Sequence, residues 1–152
     1  MRWKQSFLHQ YFNHVLIKKI MENTAITAKK LGIWMDHAHA HLIEFTTDPI
    51  VTTIITSKFT HAEKLESMNK GEKIMHIKEQ HEQADYYKRI GEVIKHFEEV
   101  LLFGPTDAKV ELFNTLKDDK HFDKIKIDMQ QTDKMTENQE HAFVRNYFKN
   151  HL

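Results

Sequence analysis

The sequence predicts an α/β domain built on one mixed sheet of five strands. Three short apolar or β-branched runs between residues 31 and 56 are joined by connections of a few residues, which imposes antiparallel pairing. Two later strand patterns alternate with helical ones, the order that gives parallel strands joined by right-handed crossovers. A chain of 152 residues with 40% hydrophobic content is long enough for one buried core and short for two.

The first strand is the apolar run Leu31 to Met35, the second His39 to Phe45 and the third the β-branched Ile50 to Thr56, with turns at Asp36-His37 and Asp48-Pro49. Residues 57 to 73 are polar and mixed in charge. They read as a mobile loop in which the Thr60-x-x-Glu63 capping box permits at most a short helix. From Ile74 to Glu99 the apolar positions Ile77, Ala84, Tyr87, Ile90, Ile94 and Phe97 recur at helical spacing, with Lys78, Glu79, Glu82, Asp85, Lys88 and Glu92 on the other side. A long helix on a sheet is expected there.

Val100 to Phe103 follows as a short strand, then Asp107 to Leu116 as a helix carrying Val110, Leu112, Phe113 and Leu116. Lys124 to Gln130 alternates around Ile125, Ile127 and Met129 as the fifth strand. A last helix starts after Thr136, where Thr136-x-x-Gln139 forms a capping box, with Ala142, Phe143, Tyr147 and Phe148 as its buried face. Three antiparallel strands followed by helix, strand, helix, strand, helix is the order of the ribonuclease H-like and translational-machinery-component folds. That analogy concerns fold and not function.

Residues 1 to 25 are read as an N-terminal extension, either a basic amphipathic helix or a disordered tail, and residues 26 to 152 as the single domain. Its first twenty residues hold Arg2, Lys4, Lys18 and Lys19 and no acid, among Trp3, Phe7, Leu8, Tyr11, Phe12, Val15, Leu16, Ile17 and Ile20. His9, Gln10, Asn13 and His14 interrupt the apolar run, so it reads neither as a signal peptide nor as a membrane span. Met21 offers an alternative start.

The formal net charge is zero, with 22 basic and 22 acidic residues, so no global field draws the chain to nucleic acid or to a membrane surface. Neither DNA nor a membrane is expected as a partner. The chain has no cysteine, which excludes disulfides, thiolate catalysis and cysteine-based zinc sites together and agrees with a reducing compartment; a cytoplasmic location is expected.

If the first, fourth and fifth strands run parallel in the middle of the sheet, their carboxyl ends bring Asp36-His37, Gly104-Pro105-Thr106 and Thr132-Asp133 to one edge. Open sheets bind ligands at that edge, and a helix starting near Thr106 would offer unpaired N–H groups to an anion. The plainer account is a tight turn made by Gly104, fixed by Pro105 and capped by Thr106.

Two metal readings attach to the same edge. Asp36, Asp107 and Asp133, with Glu44 or Glu79 as a fourth ligand, stand near the positions at which ribonuclease H-like nucleases hold two Mg²⁺ ions, which makes a metal-dependent nuclease the alternative function. His37, His39 and His41 alternate and would share a face as zinc ligands, unless a turn at His37 breaks the alignment, and no fourth ligand is evident. Ser6, Ser57 and Ser67 lack the setting of a hydrolase nucleophile, and four glycines form no nucleotide-binding pattern. No cofactor is expected.

Three blocks, "LGIWMDHAHAHLIEF", "LLFGPTDAKVELFNTLKDD" and "TDKMTENQEHAFVRNYF", resemble the small bacterial translational machinery proteins, relatives of the middle domain of the eukaryotic and archaeal class 1 release factors and Pelota. The resemblance covers residues 31 to 149. It implies a domain of the translation apparatus with roles in termination, ribosome rescue or stress, and as partners the ribosome, ribosomal RNA or a translation factor. Release factors carry a Gly-Gly-Gln tip before the long helix; here the place reads "MNKGEKIM", with Gly71 alone and no glutamine from Asn69 to Lys73. Peptidyl-tRNA hydrolysis by that route is therefore not expected. The length leaves no room for codon-reading and partner-binding domains, so stop-codon recognition is not expected either.

Residues 57 to 99 hold eight Lys or Arg against nine Asp or Glu, an ordinary solvated mixture. Contacts to phosphate would fall on Lys70 and Lys73 in the loop and on Lys109 beside the Thr106 turn. The resulting expectation is a non-catalytic ribosome- or translation-factor-associated domain that binds through Asp36, His37, Lys70, Gly71, Lys73, Gly104, Pro105, Thr106, Lys109 and Asp133.

Overall fold

The computed structural model describes residues 13–16, 28–45, 50–58, 65 and 71–151. Strands β1 (Lys30–Met35), β2 (His39–Glu44) and β3 (Val51–Thr56) come first. Helix α1 (Glu72–Ile94), strand β4 (Glu99–Gly104), helix α2 (Ala108–Leu116), a 3-10 turn (Lys120–Phe122), strand β5 (Lys126–Gln131) and helix α3 (Glu137–Asn150) follow. The sheet has five strands in the order β3-β2-β1-β4-β5, so the fifth strand, expected in the middle, lies at an edge and pairs with β4 alone. β1 pairs antiparallel with β2 and β2 with β3, whereas β1 with β4 and β4 with β5 are parallel. The mixed five-stranded α/β architecture is the expected one.

Helices cover both faces, and this explains why β1 and β4 read as unbroken apolar runs: a central strand buried on two sides has no polar face to alternate with. On one face Leu31, Ile33, Met35, Leu42, Val100 and Leu102 meet Tyr86, Tyr87, Ile90 and Ile94 of α1 and Leu112 and Leu116 of α2. On the other, Trp34, Ile43, Leu101 and Phe103 meet Val144, Tyr147 and Phe148 of α3. Each fully buried large side chain contributes about 1.5–3 kcal/mol. Gly32 admits α3 to this second face, since a Cβ there would lie 2.2 Å from Val144 Cγ2.

Several predicted boundaries and faces are corrected. The long helix ends at Ile94, not Glu99, because the chain turns through Lys95–Glu98 to enter β4, with Phe97 N–H donating to the Ile94 carbonyl. Its positions Ile77 and Ala84 are exposed, and Tyr86, absent from the expected face, is fully buried. Val110 of α2 is exposed, as is Ala142 of α3, where Val144 takes the inward place. β5 starts at Lys126 because the Asp119 side chain, accepting from His121 N–H at 2.9 Å, sets the 3-10 turn just before it. The Thr136–Gln139 capping box forms as read. The Thr60–Glu63 box, the Asp48-Pro49 turn, Lys70 and most of residues 1 to 25 lie outside the described residues.

Candidate functional site at the sheet edge

The parallel register of β1, β4 and β5 sets the predicted turns along one edge, and the Thr132 N–H donates to the Gly104 carbonyl at 3.2 Å, joining two of them directly. Gly104 has φ 148°, and a Cβ on it would lie 2.1 Å from the Met35 carbonyl oxygen, so the close approach of β1 to the β4 end requires glycine. The helix beyond begins at Ala108, one residue later than predicted. Asp107 holds the N-cap position without a side-chain cap, and Thr106 Oγ1 accepts from Ala108 N–H at 3.4 Å.

Lys109 overturns its expected role. Its spacing to Leu112 and Leu116 puts it on the inward face of α2, and the residue is only 3% exposed. Its ammonium donates to the Gly104 carbonyl at 3.0 Å, the Thr106 carbonyl at 2.6 Å and Gln131 Oε1 at 2.6 Å. Those are all three of its donors. Desolvation moves its pKa below the ordinary lysine value. Gln131 in turn donates through Nε2 to the Pro105 carbonyl at 3.0 Å. Lys109 therefore fastens the β4–α2 junction to β5 from inside and offers nothing to an outside phosphate.

The β1 end is held differently. Asp36 Oδ1 accepts the N–H groups of Ala38 and His39, both at 2.7 Å, and its carbonyl accepts the Tyr86 hydroxyl at 2.9 Å. Next to it a chain of polar groups crosses from the turn to α2 and α1. His37 Nε2 lies 3.2 Å from Glu111 Oε1, and the Tyr87 hydroxyl donates to Glu111 Oε2 at 2.6 Å. The Tyr87 bond first, then His37, hold the Glu111 carboxyl below the usual range. Burial first, and then Glu111, raise the Tyr87 phenol well above its usual value, so it stays a neutral donor. His37 and Glu111 are both about half exposed, at 48% and 49% of their side chains, so the pair is open to a partner.

The proposed metal sets do not assemble. Asp36 is committed to turn amides, Asp107 and Asp133 are exposed, Glu44 closes β2 and Glu79 stands on α1 beside His76. Among the described residues no three His, Asp or Glu side chains group as metal ligands. The histidines separate because His37 lies in the turn and reaches toward α2, while His41 reaches α3, its Nδ1 being 2.8 Å from Glu140 Oε2. Glu140 is 1% exposed, and the His41 ring packs on Trp34 at 5.1 Å between centroids.

Of the other predicted residues, Gly71 precedes α1 at φ 102° and Lys73 is exposed in its first turn, far in sequence from Tyr86, which marks the sheet edge. The edge thus unites Asp36, His37, Gly104, Pro105, Thr106, Lys109 and Asp133, and leaves Gly71 and Lys73 at the start of α1. Glu111, Tyr87, Gln131 and Glu140 were not singled out as polar anchors. Glu140 had a signal, since with Val144 and Tyr147 it lies at helical spacing on the inward face.

The sequence matches no protein-family model and no curated protein. The fold matches solved structures. Pelota of Archaeoglobus fulgidus superposes with a TM-score of 0.53 and 6% identity over 88% of this chain and 36% of that one. Pelota of Thermoplasma acidophilum gives 0.52 and 11% identity over 88% and 37%. The archaeal translation termination factor aRF1 gives 0.44 and 12% identity over 81% and 39%. The chain spans little more than a third of the Pelota chains, and at these identities the likeness is one of fold.

Proposed function

We propose that this protein is a non-catalytic domain of the translation apparatus that engages the ribosome or a translation factor. The observation that carries the reading is the course of α1 relative to the sheet. Tyr86 sits at the sheet edge, bonded to the Asp36 carbonyl, and the helix has fourteen further residues on its amino-terminal side, back to Glu72. At 1.5 Å per residue that is an arm of about 20 Å. None of Glu72 to Ala84 is buried. The arm rises from Tyr87, which bonds the half-exposed His37–Glu111 pair, and ends at Gly71, and its surface is the one proposed to dock against a large partner.

The resemblance of three sequence blocks to translational machinery proteins and the Pelota-like fold support the same reading; the ribonuclease H-like type is proposed for the fold alone. Residues 69 to 73, Asn-Lys-Gly-Glu-Lys, hold no glutamine, so we assign no peptidyl-tRNA hydrolysis. The arm mixes charges, with Lys73 and Lys78 among Glu72, Glu79 and Glu82, which favours a shaped protein or ribonucleoprotein surface over bare RNA. Among the described residues no helix is long and apolar enough to cross a membrane. Residues 1 to 25 are proposed as a separate extension, and the cytoplasm as the working compartment.

Co-sedimentation of the tagged chain through sucrose gradients, from growing and starved cells at two salt concentrations, tests this. Migration with a ribosomal peak that is lost in Lys73→Glu/Lys78→Glu is the expected result. A chain that stays at the top of every gradient sinks the reading.

A further inference from the structure

The two edges of the sheet are unlike. β5 carries Lys126, bonded to Glu99 at 3.0 Å, and Asp128, which accepts the Tyr147 hydroxyl. Charges of this kind blunt an edge against pairing. β3 reads Val-Thr-Thr-Ile-Ile-Thr, and no charged residue occurs from Ile50 to Ser57. Val51 is 55% and Ile54 61% exposed, so the edge stands open in the folded chain.

The ladder decides which backbone groups face outward. Ser57 N–H donates to the Ala38 carbonyl at 2.7 Å, opposite each other in the antiparallel β2–β3 register. Counting by twos, Ile55, Thr53 and Val51 face β2, whereas Thr56, Ile54 and Thr52 turn their N–H and C=O away from it. The Thr56 carbonyl is already taken by the Arg89 guanidinium at 2.6 Å. Thr52 and Ile54 thus keep both groups without a backbone partner among the described residues.

From this geometry we infer that β3 pairs antiparallel with β3 of a second copy, joining two sheets into one of ten strands about a two-fold axis at Thr53. In that register Thr52 of one copy faces Ile54 of the other, and each pair exchanges two N–H···O bonds. Four hydrogen bonds form with no cost to the Arg89–Thr56 bond. Exposed Val51 comes to lie beside Ile55 of the second copy and exposed Ile54 beside Thr52, so apolar surface is covered on both sides of the ladder. A register centred on Ile54 would instead require the Thr56 carbonyl. Because the strand has no charge, two-fold pairing sets no like charges against each other, and the edge offers nothing that selects a charged peptide.

Sedimentation equilibrium of the full chain across the micromolar range tests the pairing. A mass of two chains is expected, falling to one in Ile54→Lys with an unchanged circular dichroism spectrum. The absence of cysteine permits a register test in the same chain. Thr53 would face its own copy in a non-hydrogen-bonded pair, the spacing at which cross-strand disulfides close, so Thr53→Cys should give a covalent dimer under mild oxidant and Thr56→Cys should not. A monomeric wild type overturns the inference, as does a dimer indifferent to Ile54→Lys. Cross-linking through Thr56→Cys in preference to Thr53→Cys overturns the register.

Discussion

Helix α1 is one element with two environments. Between Asp85 and Ile94 it buries Tyr86, Tyr87, Ile90 and Ile94 against the sheet; between Glu72 and Ala84 no residue is fully buried, and Ile74 and Ile77 are about half exposed. Both halves carry apolar residues at helical spacing, so the pattern alone does not separate them. What separates them is where the sheet stops. An isolated helix of the length of the outer half is marginal in water, and it is held by continuing a helix whose other end is packed. The contrast teaches that periodicity reports helix, whereas burial depends on what the other strands bring opposite.

Substitutions test that contrast, beginning with the strongest. Ile90→Ala opens a cavity in the anchored half and should lower the unfolding free energy by about 2–5 kcal/mol in urea titrations. Lys109→Met removes the three bonds that fasten the edge under the anchor and takes from the Thr106 carbonyl its donor, while the Gly104 carbonyl keeps the Thr132 N–H; a loss of about 1–3 kcal/mol is expected by the same measurement. Tyr87→Phe keeps the ring and removes the donor to half-exposed Glu111, for a loss of about 1 kcal/mol. Ile77→Ala, in the outer half, should stay within about 0.5 kcal/mol of wild type. An Ile77→Ala loss equal to that of Ile90→Ala would erase the distinction.

The Tyr87 substitution also sharpens a pH dependence. Glu111 has its native pKa depressed, first by the Tyr87 hydroxyl and then by His37. A carboxyl of this kind adds stability above its unfolded pKa, and the contribution disappears as pH falls through the native value. Melting temperature should decline on acidification between about pH 5 and pH 3, and Tyr87→Phe should flatten that decline. An identical slope in both proteins would show that the Tyr87–Glu111 bond does not set it.

Strand existence and pairing direction were legible because each strand was bounded by turn residues and because short connections allow only antiparallel neighbours, whereas the edge position of β5 was not. The edge turns were legible for the same reason, and Gly104 proved necessary for a contact, the Met35 carbonyl, that no local pattern reveals. Lys109 was misread because a lysine is normally solvated. Three acceptors from β4, the following turn and β5 make its burial possible, and they converge only in three dimensions. The Tyr87–Glu111–His37 chain was invisible for a related reason, since its members come from three elements and Glu111 follows His37 by 74 residues. The carboxylate trio was suggested by strand ends alone, and strand ends place a residue without aiming its side chain.

Burial of the Lys109 amine has a practical consequence. In the folded chain its nitrogen is shielded and triply occupied, so acylating reagents should modify the exposed lysines first and reach this one only when the edge comes apart. Mass-spectrometric timing of acylation at this single position would therefore act as a chemical clock for opening of the junction, and a bound partner that clamps the edge would slow that clock without touching the amine itself.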